Sequence, residues 1–500
     1  MKAYLIGAGP GDPGLLSLKG RDILARADVI IYDYLANRDF LDYARPEAET
    51  LYVGKQGGRH ALPQKEINAI IAQKAREGKV VARLKGGDPY MFGRGGEEAE
   101  YLARHNIPFE VVPGVTSAIA AAAYAGIPLT HRSYASSVIF ATGHEDADKL
   151  ESAHNWEALA QSGATLVFFM GMKNLPEICA RLLAAGLNPR TPAALIRWGT
   201  TPRQKSMSCS LKALPAEAQK RGFTAPCLIV IGKVVNLRDS LNWFEKKPLL
   251  GKGVVVTRAR EQASDMAALL TERGAQVISF PTIEIHPLES YAEARKTIGC
   301  LNAYDWVIFT SANGVIHFFE QLHALGRDTR ALAGCRVAAI GPATAQTLEK
   351  HGLRADFIPE HFVAESVARG LNALGVKDRR ILIPRAKSAR DLLPEQLRLA
   401  GAEADVLPLY ETRPGDAHKE EFLELLRQGE VHCITFSSSS TVENFFSLIP
   451  AELLKEHPQV KLACIGPITA ATLAKHGLAC SFQPVEYTIP SLVEMLAQKL

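Results

Sequence analysis

Short β-branched apolar runs alternate with stretches of helical period along the first half of the chain. Ala3–Ile6, Val29–Tyr32, Val80–Leu84, Phe109–Val112, Val138–Ala141, Leu166–Met170, Ala193–Arg197 and Leu228–Ile231 read as strands. Between them lie segments such as Pro63–Glu77, where Ile67, Ile70, Ile71 and Lys74 follow the 3–4 spacing of a helix and Gly78 supplies a stop. This alternation predicts α/β layers. The polar segment Leu237–Gly253, with Asn242, Pro248 and two glycines, reads as a boundary.

The second half carries an internal repeat at a shift of 127 residues. Val256-Thr257-Arg258-Ala259 falls on Ile383-Pro384-Arg385-Ala386, Gly274-Ala275 on Gly401-Ala402, Pro281 on Pro408 and Phe309 on Phe436. After a two-residue deletion, residues 336–353 match 461–478 at twelve of eighteen positions. Each copy is domain-sized, so two similar α/β lobes are expected, with a ligand cleft between them.

Composition narrows the classes. The 500 residues are 47% hydrophobic and 22% charged, which suits folded cores and excludes a disordered chain. A net charge of +4 does not advertise nucleic acid or a membrane surface as partner. The eight cysteines have no CxxC pair, which reads as a reduced, cytoplasmic chain without a metal cluster. No apolar run is long enough to span a membrane, and the N-terminus lacks a signal-peptide pattern.

The first strand feeds Gly7-Ala8-Gly9-Pro10-Gly11-Asp12-Pro13-Gly14, superficially a dinucleotide fingerprint. Its chemistry argues against phosphate: Pro10 and Pro13 lack N–H donors, and Asp12 puts negative charge where the anion would sit. A tight turn, or a loop around a neutral or cationic group, fits better. A second Gly-Gly turn, Gly86-Gly87-Asp88, follows the strand at Val80–Leu84, where α/β sheets hold ligands. Thr116 or Ser117 reads as a helix N-cap.

Residues 1–240 resemble the uroporphyrinogen-III C-methyltransferases of the tetrapyrrole (precorrin) methylase family. The resemblance rests on YLIGAGPGDPGLLSLKG (4–20), VVARLKGGDPYMFGRGGEE (80–98), VVPGVTSA (111–118), AGIPLTHR (125–132), LVFFMG (166–171) and TPAALIRWGTTPRQ (191–204). It implies a two-subdomain α/β fold that binds S-adenosylmethionine, releasing S-adenosylhomocysteine. Implied cofactor contacts are Pro10, Gly86, Gly87, Asp88, Met91, Thr116, Ser117, Met170 and Gly199. Asp33 matches the family's proposed proton acceptor and Lys55 its proposed donor; the bland readings are substrate orientation and propionate pairing. Arg94 suits a substrate carboxylate, in competition with an ion pair to Glu97 or Glu98.

In the second half, hydroxyl-rich strand ends precede helical patterns: Thr310-Ser311-Ala312-Asn313 and its repeat mate Ser437-Ser438. Hydroxyls beside free helix N–H groups suit carboxylates, and ordinary N-capping is the competing reading. Arg258 and Arg385 occupy equivalent repeat positions and add charge, or else form surface ion pairs.

Residues 250–500 resemble uroporphyrinogen-III synthases, through VVVTRAR (254–260), VIFTSANGV (307–315), AAIGPATAQTL (338–348), ILIPRA (381–386), VLPLYET (406–412) and ITFSSSSTVENF (434–445). The resemblance implies a bilobed α/β fold in which each lobe takes the front of one repeat and the back of the other. Tyr410 matches a tyrosine near the cleft and is the candidate proton donor. The expected organisation is a methylase at 1–243, a linker at 244–253 and a synthase at 254–500. Lobe one covers about 254–283 plus 413–500, and lobe two about 290–407. The implied function is bifunctional: hydroxymethylbilane closes to uroporphyrinogen III with inversion of ring D, and S-adenosylmethionine methylates C2 and C7 to give precorrin-2, on the way to sirohaem or a cobalamin. A homodimer through the methylase half, no metal, and no nucleic-acid or membrane partner are expected. The alternative is a later-precorrin methylase fused to a porphyrinogen-sensing bilobed module.

Overall fold

A computed structural model describes residues 2–54, 62–143, 154–258, 260–360, 364–388, 391–415 and 418–500. Two compact units emerge. One is Met1–Val254 with Ala268–Val277 and Val493–Leu500; the other is Val255–Ala267 with Ile278–Leu492.

The first unit holds two five-stranded sheets. Strands β1 (Lys2–Gly7), β2 (Val29–Tyr32), β3 (Glu49–Tyr52), β4 (Val80–Lys85) and β5 (Phe109–Val112) form a parallel sheet in the order β3-β2-β4-β1-β5. Strands β6 (Val138–Thr142), β7 (Thr165–Phe169), β8 (Pro192–Arg197), β9 (Lys205–Ser210) and β10 (Cys227–Ile231) form a mixed sheet in the order β6-β7-β10-β8-β9. Central strands such as Val29-Ile30-Ile31 are fully buried, which is why they read as continuous apolar runs. The periodic segment predicted over 63–77 is the helix Gln64–Arg76, followed by Gly78 at φ +85°.

Two strands escape the apolar pattern, one expected strand ends earlier, and the boundary segment is packed. β3 and β9 carry no apolar run: both are edge strands, with every position of β3 and every position of β9 but Met207 exposed or half-exposed. The strand expected over Leu166–Met170 ends at Phe169, and Met170 turns to φ +54°. The boundary segment Leu237–Gly253 is packed, with Phe244 and Leu249 buried. Its polarity is used internally: Glu245 pairs with Arg238 at 2.6 Å and accepts from Gln204 and Ser206.

The repeat is structural throughout the second half. Strands β11 (Gly253–Val256), β12 (Gln276–Ser279), β18 (Cys433–Phe436) and β19 (Lys461–Cys464) share one sheet, ordered β12-β11-β18-β19. Strands β13 (Ile283–Pro287), β14 (Trp306–Phe309), β15 (Arg336–Ala339), β16 (Arg380–Ala386) and β17 (Glu403–Pro414) form the other, ordered β13-β17-β16-β14-β15. Each sheet thus joins the front of one repeat to the back of the other. Twelve residues long, β17 pairs parallel with β16 and then antiparallel with β13, Pro287 opposite Tyr410 and Ile283 opposite Pro414.

Candidate active sites

In the first unit the loops after β1, β4 and β5 converge at the carboxyl edge of the parallel sheet. A Cβ on Gly114 would lie 2.3 Å from the Gly87 carbonyl oxygen, so only glycine permits this approach. Gly9 and Gly87 exchange backbone hydrogen bonds of 3.1 and 2.7 Å. The Asp88 carboxylate is committed to the protein, accepting from the N–H groups of Tyr90, Met91 and Gly114 at 2.8–3.1 Å. It shapes the loop instead of presenting a free acceptor. Asp12 plays a similar part: it accepts from the Gly14 N–H and, at 2.6 Å, from the Tyr124 hydroxyl, while its own N–H donates to Thr200 Oγ1 at 3.1 Å. Burial and this bond to Asp12 raise the Tyr124 pKa.

The residues expected around the cofactor lie in a connected set of loops. Pro10 is half-buried beside Gly9. Gly86 abuts Leu35, and Gly87, at φ +72°, opens toward Thr116 and Ser117. Thr116 occupies the N-cap of the helix Ser117–Tyr124 without a side-chain capping bond. Met91 packs against the core that includes Phe169, and the next ring, Phe92, lies 4.8 Å from Phe169. Met170, beside Phe169, is 53% exposed. Gly199 abuts Ala121 of that helix.

Asp33 follows β2 and pairs with Arg83 at 3.0 Å. Lys55 lies outside the described residues. Arg94 forms a two-pronged ion pair with Glu97, both bonds 2.8 Å, so the competing reading describes its resting state. Sequence reasoning missed Arg83, Lys85 and Glu98, which lie buried behind Asp33. The available signal was two cations at alternate positions of an otherwise apolar interior strand.

In the second half, Ser311 caps the helix Ala312–Ala324, accepting from the Gly314 N–H at 3.0 Å, and it lies 3.0 Å from the Tyr410 hydroxyl. Tyr410 is 5% exposed, and burial raises its pKa. Its ring lies 5.2 Å from His317. Thr310 is half-buried and Asn313 buried beside them. Ser438 caps Ser439–Leu448 in a reciprocal box with Thr441, and Ser437 precedes it half-buried. Capping is therefore what both serines do in this structure.

The repeat mates do not stay together. Arg385 lies in β16, on the sheet carrying Thr310, Ser311, Asn313 and Tyr410, and the Pro384 carbonyl lies 3.0 Å from the position of a Cβ on Gly314. Arg385 is buried and ion-paired to Asp391. Arg258 follows β11 beside the strand of Ser437 and Ser438, where Thr257 Oγ1 donates to the Thr435 carbonyl at 2.7 Å. Burial lowers the Arg258 pKa. Each sheet thus sets the strand that bears or precedes the arginine of one repeat beside the strand that leads to the hydroxyl-rich turn of the other.

Residues 2–215 match the model of the tetrapyrrole (corrin/porphyrin) methylases, and 264–494 that of uroporphyrinogen-III synthase HemD. A porphyrin biosynthesis protein HemD of Ruminiclostridium josui is 37% identical over 497 residues, 99% of this chain and 97% of that protein. A uroporphyrinogen-III C-methyltransferase of Bacillus subtilis (strain 168) is 50% identical over 246 residues, 49% of this chain and 95% of that one. A solved uroporphyrin-III C-methyltransferase of Thermus thermophilus, complexed with S-adenosyl homocysteine, covers 47% of this chain and 100% of its own at 38% identity and a TM-score of 0.41. Two family models in succession, with a relative alike along nearly the whole length, make this chain a member of the family in which a tetrapyrrole methylase precedes a uroporphyrinogen-III synthase.

Proposed function

We propose that the chain catalyses two successive steps on one substrate. The second half closes hydroxymethylbilane to uroporphyrinogen III, and the first half methylates that product at C2 and C7 to precorrin-2. The observation that carries this reading is the succession of the two family matches on one chain. We assign the methylase to residues 1–243 and the synthase to 254–500.

The chemistry of the strand-end loops suits S-adenosylmethionine. The backbone at Gly87 is open, with no atom nearer than 3.8 Å to an added Cβ, and Leu35 and Met170 offer exposed apolar surface. The prolines and Asp12 disfavour a phosphate-bearing group, whereas a sulfonium is cationic. When bound, the cofactor supplies an electrophilic methyl group. Asp33, paired with Arg83, accepts the proton that the macrocycle loses, and Arg94 exchanges Glu97 for a substrate carboxylate. Arg94 and Glu97 are both more than half exposed, so the exchange is inexpensive.

In the synthase half, Tyr410 protonates the departing hydroxyl, with Ser311 fixing its hydroxyl group. Arg385 with Thr310, Ser311 and Asn313, and Arg258 with Ser437 and Ser438, hold the carboxylates. The enzyme is cytoplasmic, dimerises through the methylase half and needs no metal. No described helix is long and apolar enough to cross a membrane.

The test supplies hydroxymethylbilane with and without S-adenosylmethionine. The expected products are the III isomer alone, and a dimethylated species when the cofactor is present. Formation of the I isomer would leave a sensing module in place of the synthase. Failure to methylate supplied uroporphyrinogen III would favour a later-precorrin methylase.

A further inference from the structure

Asp33 is the outermost member of a buried ionic chain. Arg83 and Lys85 alternate on β4 and so share one face, each 3% exposed. The Arg83 guanidinium is held on every side. Nη2 donates to Asp33 Oδ2 at 3.0 Å and Nε to Glu98 Oε1 at 3.1 Å. Nη1 donates to the carbonyls of Leu84 at 3.0 Å and Ile31 at 3.4 Å. Lys85 Nζ, at 2.9 Å, and Gln64 Nε2, at 3.1 Å, donate to the same Glu98 oxygen. Glu98 is fully buried in the first turn of the helix Gly95–Arg104, and its Oε2 has no hydrogen-bond partner among the described residues. Of the four charged groups only Asp33 reaches solvent, its side chain 28% exposed.

Stability alone gives no reason for such a cluster. Buried ion pairs are often replaceable by apolar groups without loss, and here one carboxylate oxygen is left unsatisfied. A planar guanidinium gripped from both ends does, however, fix the direction and charge of whatever its free edge binds. We propose that Arg83 is a positioning residue for methyl transfer: it holds the Asp33 carboxylate in one orientation beside a fixed positive charge, while Glu98 and Lys85 lock the guanidinium from behind. This rests on Asp33 being the proton acceptor. Among the described residues, the other titratable groups around Asp33 are Lys85 on β4, Glu98 on the helix Gly95–Arg104, and the Tyr52 phenol, which stands by the backbone of Tyr34. Lys85 and Arg83 both reach the same Glu98 oxygen, at 2.9 and 3.1 Å.

The signs of the charges give a test that a structural role would not mimic. Removing the Arg83 cation disfavours ionised Asp33, whereas removing the Glu98 charge favours it. In the full chain, initial rates of methyl transfer from S-adenosylmethionine to uroporphyrinogen III are measured against pH for Asp33→Asn, Arg83→Met, Arg83→Lys and Glu98→Gln. Calorimetric titration with S-adenosylhomocysteine reports an intact cofactor site. Arg83→Met is expected to lower kcat about 100-fold through misplacement of the base. It should also raise the acid limb of the profile by about one pH unit or more. Arg83→Lys should return the limb toward its original place without restoring full kcat. Glu98→Gln should move the limb down.

Unmoved acid limbs in Arg83→Met and Glu98→Gln, with S-adenosylhomocysteine still bound, overturn the proposal. If Arg83→Met loses that binding, Glu98→Gln decides alone: a lower limb supports the proposal and an unmoved one overturns it. Retained activity in Asp33→Asn overturns the underlying assignment of the base, a result distinct from an unmoved limb.

Discussion

Ser311 and Ser438 show how one residue type serves both structure and chemistry. Each satisfies a helix N–H that would otherwise lack a partner, and each stands at a strand end, the place proposed above for a substrate carboxylate. Ser311 does more, since its oxygen also engages Tyr410. Tyr410→Phe deletes one hydroxyl from a buried pair, so it should cost about 1 kcal/mol in urea unfolding. Bilane closure should slow by about tenfold or less, because folding the linear chain, not one proton transfer, carries much of the work. Asp28 is a different case. The Val80 N–H bonds its carboxylate at 2.6 Å and Arg45 pairs with it, which lowers its pKa. A lowered folded value contributes stability above the ordinary carboxylate pKa of about 3.9 and loses it as pH falls through the folded value. Asp28→Asn should therefore weaken the protein at neutral pH and flatten the acid decline in its unfolding midpoint below about pH 4. Among the site residues, Asp33 was legible only through a family motif. A carboxylate after a strand has many uses, and the Arg83 that pairs with it lies fifty residues away.

The turns after β1, β4 and β5 illustrate what elements add. Their glycines are dense in the sequence, which marks a tight turn but not its neighbour. The structure supplies the neighbour: Gly7 and Gly114 meet backbone to backbone, a Cβ on Gly7 falling 2.4 Å from the Gly114 nitrogen. Gly114→Ala should therefore cost about 2 kcal/mol, since backbone must move, and should weaken S-adenosylhomocysteine binding with it. Gly96, with nothing within 4 Å, should accept alanine with little change, and paired melting curves would separate the two. The repeat gives a parallel lesson. His351 stacks on Phe319 at 4.2 Å, and their mates His476 and Phe446 stack at 4.6 Å. Duplication has kept a contact between two helices, although only the histidine side of it stands out in the matched stretch. The edge strands β3 and β9 were missed for the opposite reason, because partial solvation removes the apolar run by which strands are recognised.

At the scale of the molecule, two chemistries on one chain should be separable. Asp33→Asn should cut methyl transfer by about 100-fold or more while bilane closure keeps its original rate, and Tyr410→Phe should slow bilane closure alone, by about tenfold or less, with methyl transfer unchanged. Parallel assays on the same preparations check this. The sequence by itself determined a great deal. Strand–helix alternation set the α/β class, the 127-residue shift set the duplication, and motifs in fixed order set the family. These are local or periodic properties, carried by residues close together in the chain. The repeat pattern alone does not say which copy supplies which half of a lobe; the family resemblance implied it, and the strand order gives each sheet strands of both copies. A shift in the sequence pairs Arg258 with Arg385 and Ser311 with Ser438, whereas the sheets set the strand of Arg385 beside the one that leads to Ser311, and the strand before Arg258 beside the one that leads to Ser438. Likewise, only packing revealed that Asp88 and Asp12 are spent on holding loops, and that Arg83, Lys85 and Glu98 stand behind Asp33. The physical reason is common to both. A side chain's partner is chosen by hydrogen-bond reach in three dimensions, and strand order, which no local pattern encodes, sets what lies within that reach.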